Sequence, residues 1–496
     1  MAAWDFIGGA YQAANVMQDD QTLINWYVEI DRSQEAKSPL ALLGCPGLAS
    51  INTSYSGEVR GVHVMPGSQV AYWVIGTTVV KMTIATAATA LAPASFAFTT
   101  IGSISSSSGQ VCMRDNGVAG VLAIVDGISM YVCQTGTGKF FVCSDPNVIN
   151  PTRIAEIDGY FIWNSAGSQK FNVSPAYWNG TDPFDGTWFA LKDDSADNLV
   201  SLIEHQRQLW LIGESTSEVW INTGNSSITG VASQPFSRLE GAMLQVGCKA
   251  PNSVVRTGPA LMWLGASDRG ENYVVQTQGY LYQAISNPAL SYALTQYNVT
   301  SDAFAFTYTE EGHEFYVLTF PTQDVNWTYD LTTGFWHQRQ STDASNNNHR
   351  QRANCIAVIG NQRLVGDYQN GTIWRQSRAY FTDGALPLIA SRRSPYVWDG
   401  DDRNRVRNYR LQVEFTPGVG LSTGQGSNPQ MMLRWRDENG WSNQRFIPIG
   451  KIGETANRAI ARRLGASRYR VYEVAISDPV RRDVVGASLR SMGTAA

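Results

Sequence analysis

The residues best suited to chemistry in this chain are four carboxylates in an aromatic-rich stretch. Asp182, Asp185, Asp193 and Asp194 lie close to Trp178 and Trp188. Glycoside cleavage needs two carboxylates roughly 5–10 Å apart across the sugar, and aromatic faces nearby hold the ring. The same stretch reads Asn-Gly-Thr-Asp-Pro-Phe-Asp-Gly from Asn179 to Gly186. Asn, Asp, Gly and Pro are also what tight turns demand, so the turn reading is favoured. Thr135-Gly-Thr-Gly-Lys139 suggests a phosphate loop but fails it. Cys133 stands where the first glycine belongs, and Phe140 where Ser or Thr must follow the lysine. Gly418-Val-Gly420 misses dinucleotide spacing. The five histidines, His63, His205, His313, His337 and His349, share no metal-type spacing, and there is no Gly-x-Ser-x-Gly elbow. No pattern calls for a catalytic residue, a metal or a cofactor.

A second group is cationic. Arg462, Arg463, Arg468, Arg470, Arg481 and Arg482 crowd the C-terminal end. From Arg392 onward there are 18 Lys/Arg and 10 Asp/Glu, a net +8; the whole chain carries −4, leaving −12 for the rest. Such segregation speaks of association rather than fold. A net-negative chain is poorly suited to general DNA binding, which rests on phosphate neutralisation. Protein docking, with arginine as anchor, is the better reading. The acidic first 55 residues, net −4, are a candidate partner for this basic end.

The elements that must position these groups are short strands. Ala71–Ile75, Val121–Val125, Tyr160–Trp163, Gln208–Ile212, Ala260–Leu264, Glu314–Thr319 and Leu364–Val365 are rich in β-branched and aromatic residues and bounded by Gly, Asn or Asp. Helical periodicity is confined to two short stretches, Asn287–Tyr297 and Glu454–Arg463. A strand–turn–strand unit recurs at roughly the 40–55-residue period of propeller blades. It is seen at 160–171, 209–221, 315–336 and 363–374. Small sheets stacked round an axis cover one another's faces and leave few edges. The spacing predicts an all-β chain: a β-propeller of six or seven blades at 57–385. A clean period-2 strand at Tyr409–Phe415, following the charge run Asp401–Arg407, and a turn at Asp437–Gly440 predict an additional antiparallel β domain at 386–496. Residues 1–56 form an N-terminal segment expected to pack on that domain.

With 496 residues, 43% hydrophobic and 16% charged, the chain suits a globular protein of more than one core. Six scattered cysteines without C-x-x-C read as free thiols of a reducing compartment. The first 20 residues lack a secretory pattern, and no apolar run reaches the ~18 residues of a membrane span. Synthesis and folding in a cytoplasm are expected.

Several segments, taken in order, resemble one family. They are Gly213-Glu-Ser-Thr-Ser-Glu-Val-Trp220 with Asn222-Thr-Gly224, and Pro235-Phe-Ser-Arg-Leu-Glu-Gly241 with Gly247-Cys-Lys-Ala-Pro251. Further on come Glu311–Pro321 with Asn326–Asp330 and Gly334–His337. The last are Arg468-Tyr-Arg-Val-Tyr472 with Ile476–Pro479 and Gly486–Arg490. The set resembles the packaged-DNA stabilisation proteins of short-tailed bacteriophages, also called tail hubs or nozzles. That resemblance implies a propeller with six blades favoured, a platform domain, and no catalysis. It implies a homohexameric ring in the virion tail, below the portal and its head-to-tail adaptor, retaining packaged DNA and giving a conduit for its ejection. Tail spikes or fibres and a needle or plug are further implied partners, with double-stranded DNA passing non-specifically through the lumen. Arg462, Arg463, Arg468 and Arg470 are the residues expected at the adaptor interface. A glycan-binding or glycan-cleaving propeller is the alternative.

Overall fold

A computed structural model describes residues 5–33, 38–52, 54–89, 92–192, 195–224, 234–266, 272–400 and 404–494. The apolar runs named above are the second strands of successive antiparallel sheets, beginning at residues 70, 121, 160, 208, 260, 313 and 362. Val70–Ile75, Val121–Val125 and Gln208–Gly213 are buried along almost their whole length. A strand covered on both faces loses the polar alternation of a half-exposed one. That burial is what a blade's inner strands meet when each sheet is stacked between two neighbours.

The sheets follow one pattern. Blade 1 is Val59–Val64, Val70–Ile75, Thr78–Thr86 and Ser95–Ser103; blade 2 runs from Cys112–Asp115 to Lys139–Val142. Blade 3 runs from Ile154–Ile157 to Phe189–Leu191, and blade 4 from Leu199–His205 to Phe236–Leu244. Blade 5 runs from Gly247–Cys248 to Leu281–Ala284, and blade 6 from Phe304–Glu310 to Trp336–His337. Successive blades touch through their inner strands, and Ala353–Ile359 packs back on Val59–Val64 to close the ring.

The closing sheet corrects the blade number. Ala353–Ile359, Gln362–Asp367 and Ile373–Ser377 supply three strands, and Gly47–Asn52 supplies the fourth, antiparallel to Ile373–Ser377. The propeller therefore has seven blades, not the favoured six, and it begins ahead of residue 57. The seventh sheet is completed by a strand more than 300 residues away in the chain. Gly47 is required at this closure, because a Cβ there would meet the carbonyl oxygens of Thr382 and Tyr380 at 2.6 Å.

The second domain is a pair of sheets. One holds Leu23–Ile24, Ala390–Arg393, Tyr469–Ile476 and Gln430–Asp437; the other holds Trp26–Ile30, Leu40–Gly44, Val484–Thr494, Arg405–Phe415 and Ala459–Arg462. Strands from residues 23–44 are thus built into both sheets. Trp26, Leu411, Val413, Leu433, Tyr472 and Val474 share a core that continues into blades 5 and 6 through Leu264 and Leu318. The helix α1, Pro288–Thr295, inserts Leu290 and Leu294 there; Asn287 Oδ1 caps it by accepting from the Leu290 N–H at 2.8 Å, with proline at the first turn. The second expected helical stretch is not a helix. Ala459–Arg462 pairs with Arg405–Phe415, burying Ala459 and Ala461 on one face, and sheet pairing overrides the local preference.

Candidate functional site: an unpaired arginine row on the second domain

The groups that suggested catalysis are spent on turns and packing. Asp182 and Asp185 sit in exposed turns. Asn179 Oδ1 accepts from the N–H groups of Thr181 and Asp182, and Asp185 Oδ1 from the N–H and hydroxyl of Thr187. Those Thr187 bonds hold the Asp185 carboxyl below its usual range. Trp178 offers no sugar-stacking face, because it is 3% exposed and packed against Phe161 and Phe184. Asp193, Asp194 and the start of the charge run, Asp401 to Arg403, lie outside the described residues. Gly138, with φ +71°, turns the chain between the last two strands of blade 2, so Thr135–Lys139 is a hairpin connection. Among the described residues no three His, Cys, Asp or Glu side chains are placed to hold a metal ion.

The histidines do structural work. His313 lies between Asp330, 2.7 Å from Nδ1, and Glu29, 2.6 Å from Nε2. It fastens blade 6 to a strand of the second domain. Burial lowers its affinity for a proton, but the two carboxylates outweigh that and raise its pKa. His337, fully buried beside it, is pushed down to about 3 by desolvation and stays neutral. His63 meets Asp115 at 2.6 Å, and His349 meets Asp324 at 2.6 Å.

The basic residues divide into two sets. Arg392, Arg470 and Arg482 are buried within the fold. Arg392 donates to the carbonyls of Phe6, Gly9 and Thr22, tying down the N-terminal residues. Arg482 donates to the carbonyls of Leu388 and Phe381. Arg470 donates to Asp437 Oδ2 at 2.8 Å and to the Leu464 carbonyl, and lies over Trp435. It is 2% exposed, so the expected docking role does not fit it. Acidic Asp20 is likewise consumed internally, by Arg436 at 2.8 Å and Arg393 at 3.3 Å.

Arg462, Arg463 and Arg468 are exposed. The structure adds members that sequence spacing missed. Arg410 is directly opposite Arg462 on one side and Arg490 on the other, so three arginines stand side by side across three adjacent strands. Such neighbours have Cβ atoms about 5 Å apart, and like charges there destabilise a sheet. Arg407 lies beside them on the same exposed stretch. Arg463 follows Arg462 with φ +56°, a left-handed conformation uncommon outside glycine. Among the described residues no carboxylate pairs with Arg407, Arg410, Arg462, Arg463 or Arg490. Arg405, nearby, reaches Glu438 at 3.6 Å. Five arginines without a carboxylate partner among the described residues therefore lie on or next to this one row.

Comparison with known proteins places this architecture. The family model described as "Bacteriophage P22 Gp10, beta-propeller" matches residues 5–377, and the one described as "Bacteriophage P22 Gp10, beta-sandwich" matches residues 396–491. No curated protein sequence matches. Among solved structures, the extracellular domain of a putative one-component system from B. thetaiotaomicron is 10% identical. That match covers 87% of this chain and 57% of the other at a TM-score of 0.42. A Chaetomium thermophilum Polycomb Repressive Complex 2 chain is 10% identical over 72% of this chain and 97% of its own (TM-score 0.41). The N-terminal domain of Nup159 is 7% identical over 72% and 98% (TM-score 0.38). At these scores none bears on what this chain does. The two family models cover nearly the whole sequence, one on the propeller and one on the second domain, and the chain belongs to the bacteriophage P22 Gp10 family of packaged-DNA stabilisation proteins.

Proposed function

We propose that the protein is a virion structural component of a short-tailed phage, a tail hub or nozzle assembled in the host cytoplasm as a homohexameric ring. In this reading it sits below the portal and adaptor, retains the packaged DNA, and opens a conduit for its ejection. Spikes or fibres and a needle or plug attach to the same assembly. Family membership supports the class of function. The observation that carries the docking assignment is the cross-strand row Arg490–Arg410–Arg462 with Arg463 beside it. Three like charges facing one another weaken the isolated sheet, and an acidic partner surface turns that cost into binding.

The row faces the adaptor rather than DNA. A channel must let DNA slide, and each added phosphate contact is a salt-dependent brake. The acidic body of the chain suits that requirement. The test is an adaptor-binding assay with R410E/R462E/R463E, a surface variant that leaves the sandwich core untouched. Each reversal costs roughly 0.5–1 kcal/mol at low salt, so affinity falls by at least about tenfold. Unchanged affinity in a folded triple variant rules the interface out.

A further inference from the structure

The closed ring of seven blades leaves a cavity of about 310 Å³ at its inner strands. Blades 1, 2, 4, 5 and 6 and the segment leading into blade 3 all contribute to its wall. Three of the wall residues are arginines: Arg114 from blade 2, Arg153 just ahead of blade 3, and Arg256 from blade 5. Guanidiniums facing a common space repel one another unless carboxylates or a ligand neutralise them.

Only one of the three is neutralised. Arg256 pairs with Glu204 at 2.6 Å. Arg114 donates to the carbonyl of its neighbour Met113, and Arg153 to Asn252 Oδ1 at 3.2 Å. Among the described residues neither meets a carboxylate. The Arg153 Nε is buried with no hydrogen-bond partner, a costly state for a charged donor. Cys112 is also in the wall and 5% exposed. Burial pushes its thiol up, but the Arg153 and Arg114 charges together with backbone hydrogen bonds at Ile154 and Met113 hold it below its ordinary value.

We propose that this axial cavity is an oxyanion site, in which Arg114 and Arg153 grip a phosphate group. The planar guanidinium presents paired N–H donors that match two oxygens of a phosphate, and two such groups also answer its charge. The Asn252 amide, at the same wall, is a neutral polar group available to a remaining oxygen, whereas the Thr307 hydroxyl donates to the Arg256 carbonyl at 3.3 Å. The space admits a small phosphorylated group and not a duplex, which is far wider than the cavity. The ligand is therefore a free phosphate compound or the phosphorylated end of a single nucleic-acid strand. This site is separate from the arginine row on the second domain and stands whether or not that row docks.

The test uses the full-length protein at fixed ionic strength in chloride buffer. Inorganic pyrophosphate is titrated while thermal unfolding is followed, and a 5′-phosphorylated thymidine hexanucleotide forms the second arm. A ligand that binds only the folded state raises Tm in a saturable way. The expected result is a rise of several degrees in the wild type, absent in R114Q/R153Q. A shift with pyrophosphate alone assigns a free phosphate compound. A shift at lower concentration with the hexanucleotide, lost when its 5′-phosphate is removed, assigns a strand end. Equilibrium dialysis of labelled pyrophosphate against the wild type needs no variant. No retention there, or an equal Tm rise in R114Q/R153Q, overturns the site.

Discussion

At the residue scale, buried arginines serve backbone carbonyls that regular structure leaves without donors. Arg60 is fully buried and donates to the carbonyls of Gly109 (2.6 Å), Gly76 (3.1 Å), Ser106 (2.7 Å) and Ser108 (2.7 Å). It organises the connection from blade 1 to blade 2, a stretch with no regular structure of its own. Replacing Arg60 with Ala removes the donor from the buried Gly76 carbonyl and from three partly exposed ones, and unfolding by denaturant should show a loss of about 1–3 kcal/mol. His313 gives a pH-dependent counterpart. Its pKa is raised by Asp330 and Glu29, so its contribution is complete below the ordinary histidine value of about 6.5 and fades as pH climbs through the raised folded-state value. The H313Q variant should therefore lose about 1–3 kcal/mol relative to wild type at pH 5.5 and distinctly less at pH 9. Equal losses at both pH values would show that the imidazolium is not what Glu29 and Asp330 hold. Neither residue announced its role in the sequence. A lone histidine beside Glu314 looks the same whether packed or catalytic until the strands place Glu29 and Asp330 against it.

At the element scale, legibility followed locality. The second strand of each blade was readable because burial on both faces makes it a continuous apolar run, as in Val121–Val125 and Ala260–Ala266. The paired third strands were readable as the outgoing half of each hairpin, as in Ser217–Asn222. The closing strand Gly47–Asn52 was not, because its partner Ile373–Ser377 is set by the ring and not by neighbouring residues. The same holds for the arginine row. Arg410, Arg462 and Arg490 are scattered in sequence and meet only through a register that includes an irregularity between Asn408 and Arg410. Arg470 misled because charge alone cannot distinguish a buried arginine from an exposed one. Closure makes a specific prediction. Gly47→Val should clash with the Thr382 and Tyr380 carbonyls, unlatch blade 7, and lower Tm by several degrees, whereas Ser50→Ala, on the same strand, should change it little. Similar Tm values for the two variants would mean the ring does not depend on this latch.

At the scale of the whole molecule, charge is divided by domain. The basic excess lies in the second domain; Arg392, Arg470 and Arg482 are withdrawn into its core, and Arg410, Arg462 and Arg490 form an exposed cross-strand row. The rest of the chain is acidic. Under the proposed docking role, this polarity would set the basic face of the second domain against an acidic protein surface. Binding through that face should weaken steeply with salt, by about tenfold or more between 50 and 500 mM NaCl, because exposed pairs are screened beyond a Debye length. A salt-independent affinity would point to an apolar interface elsewhere. The most direct measurement is cryo-electron microscopy of the intact virion tail. The account predicts six copies in a ring beneath the adaptor, with the surface bearing Arg410, Arg462 and Arg490 turned toward it. A chain found outside the tail axis, or a ring with that surface facing solvent, would contradict it.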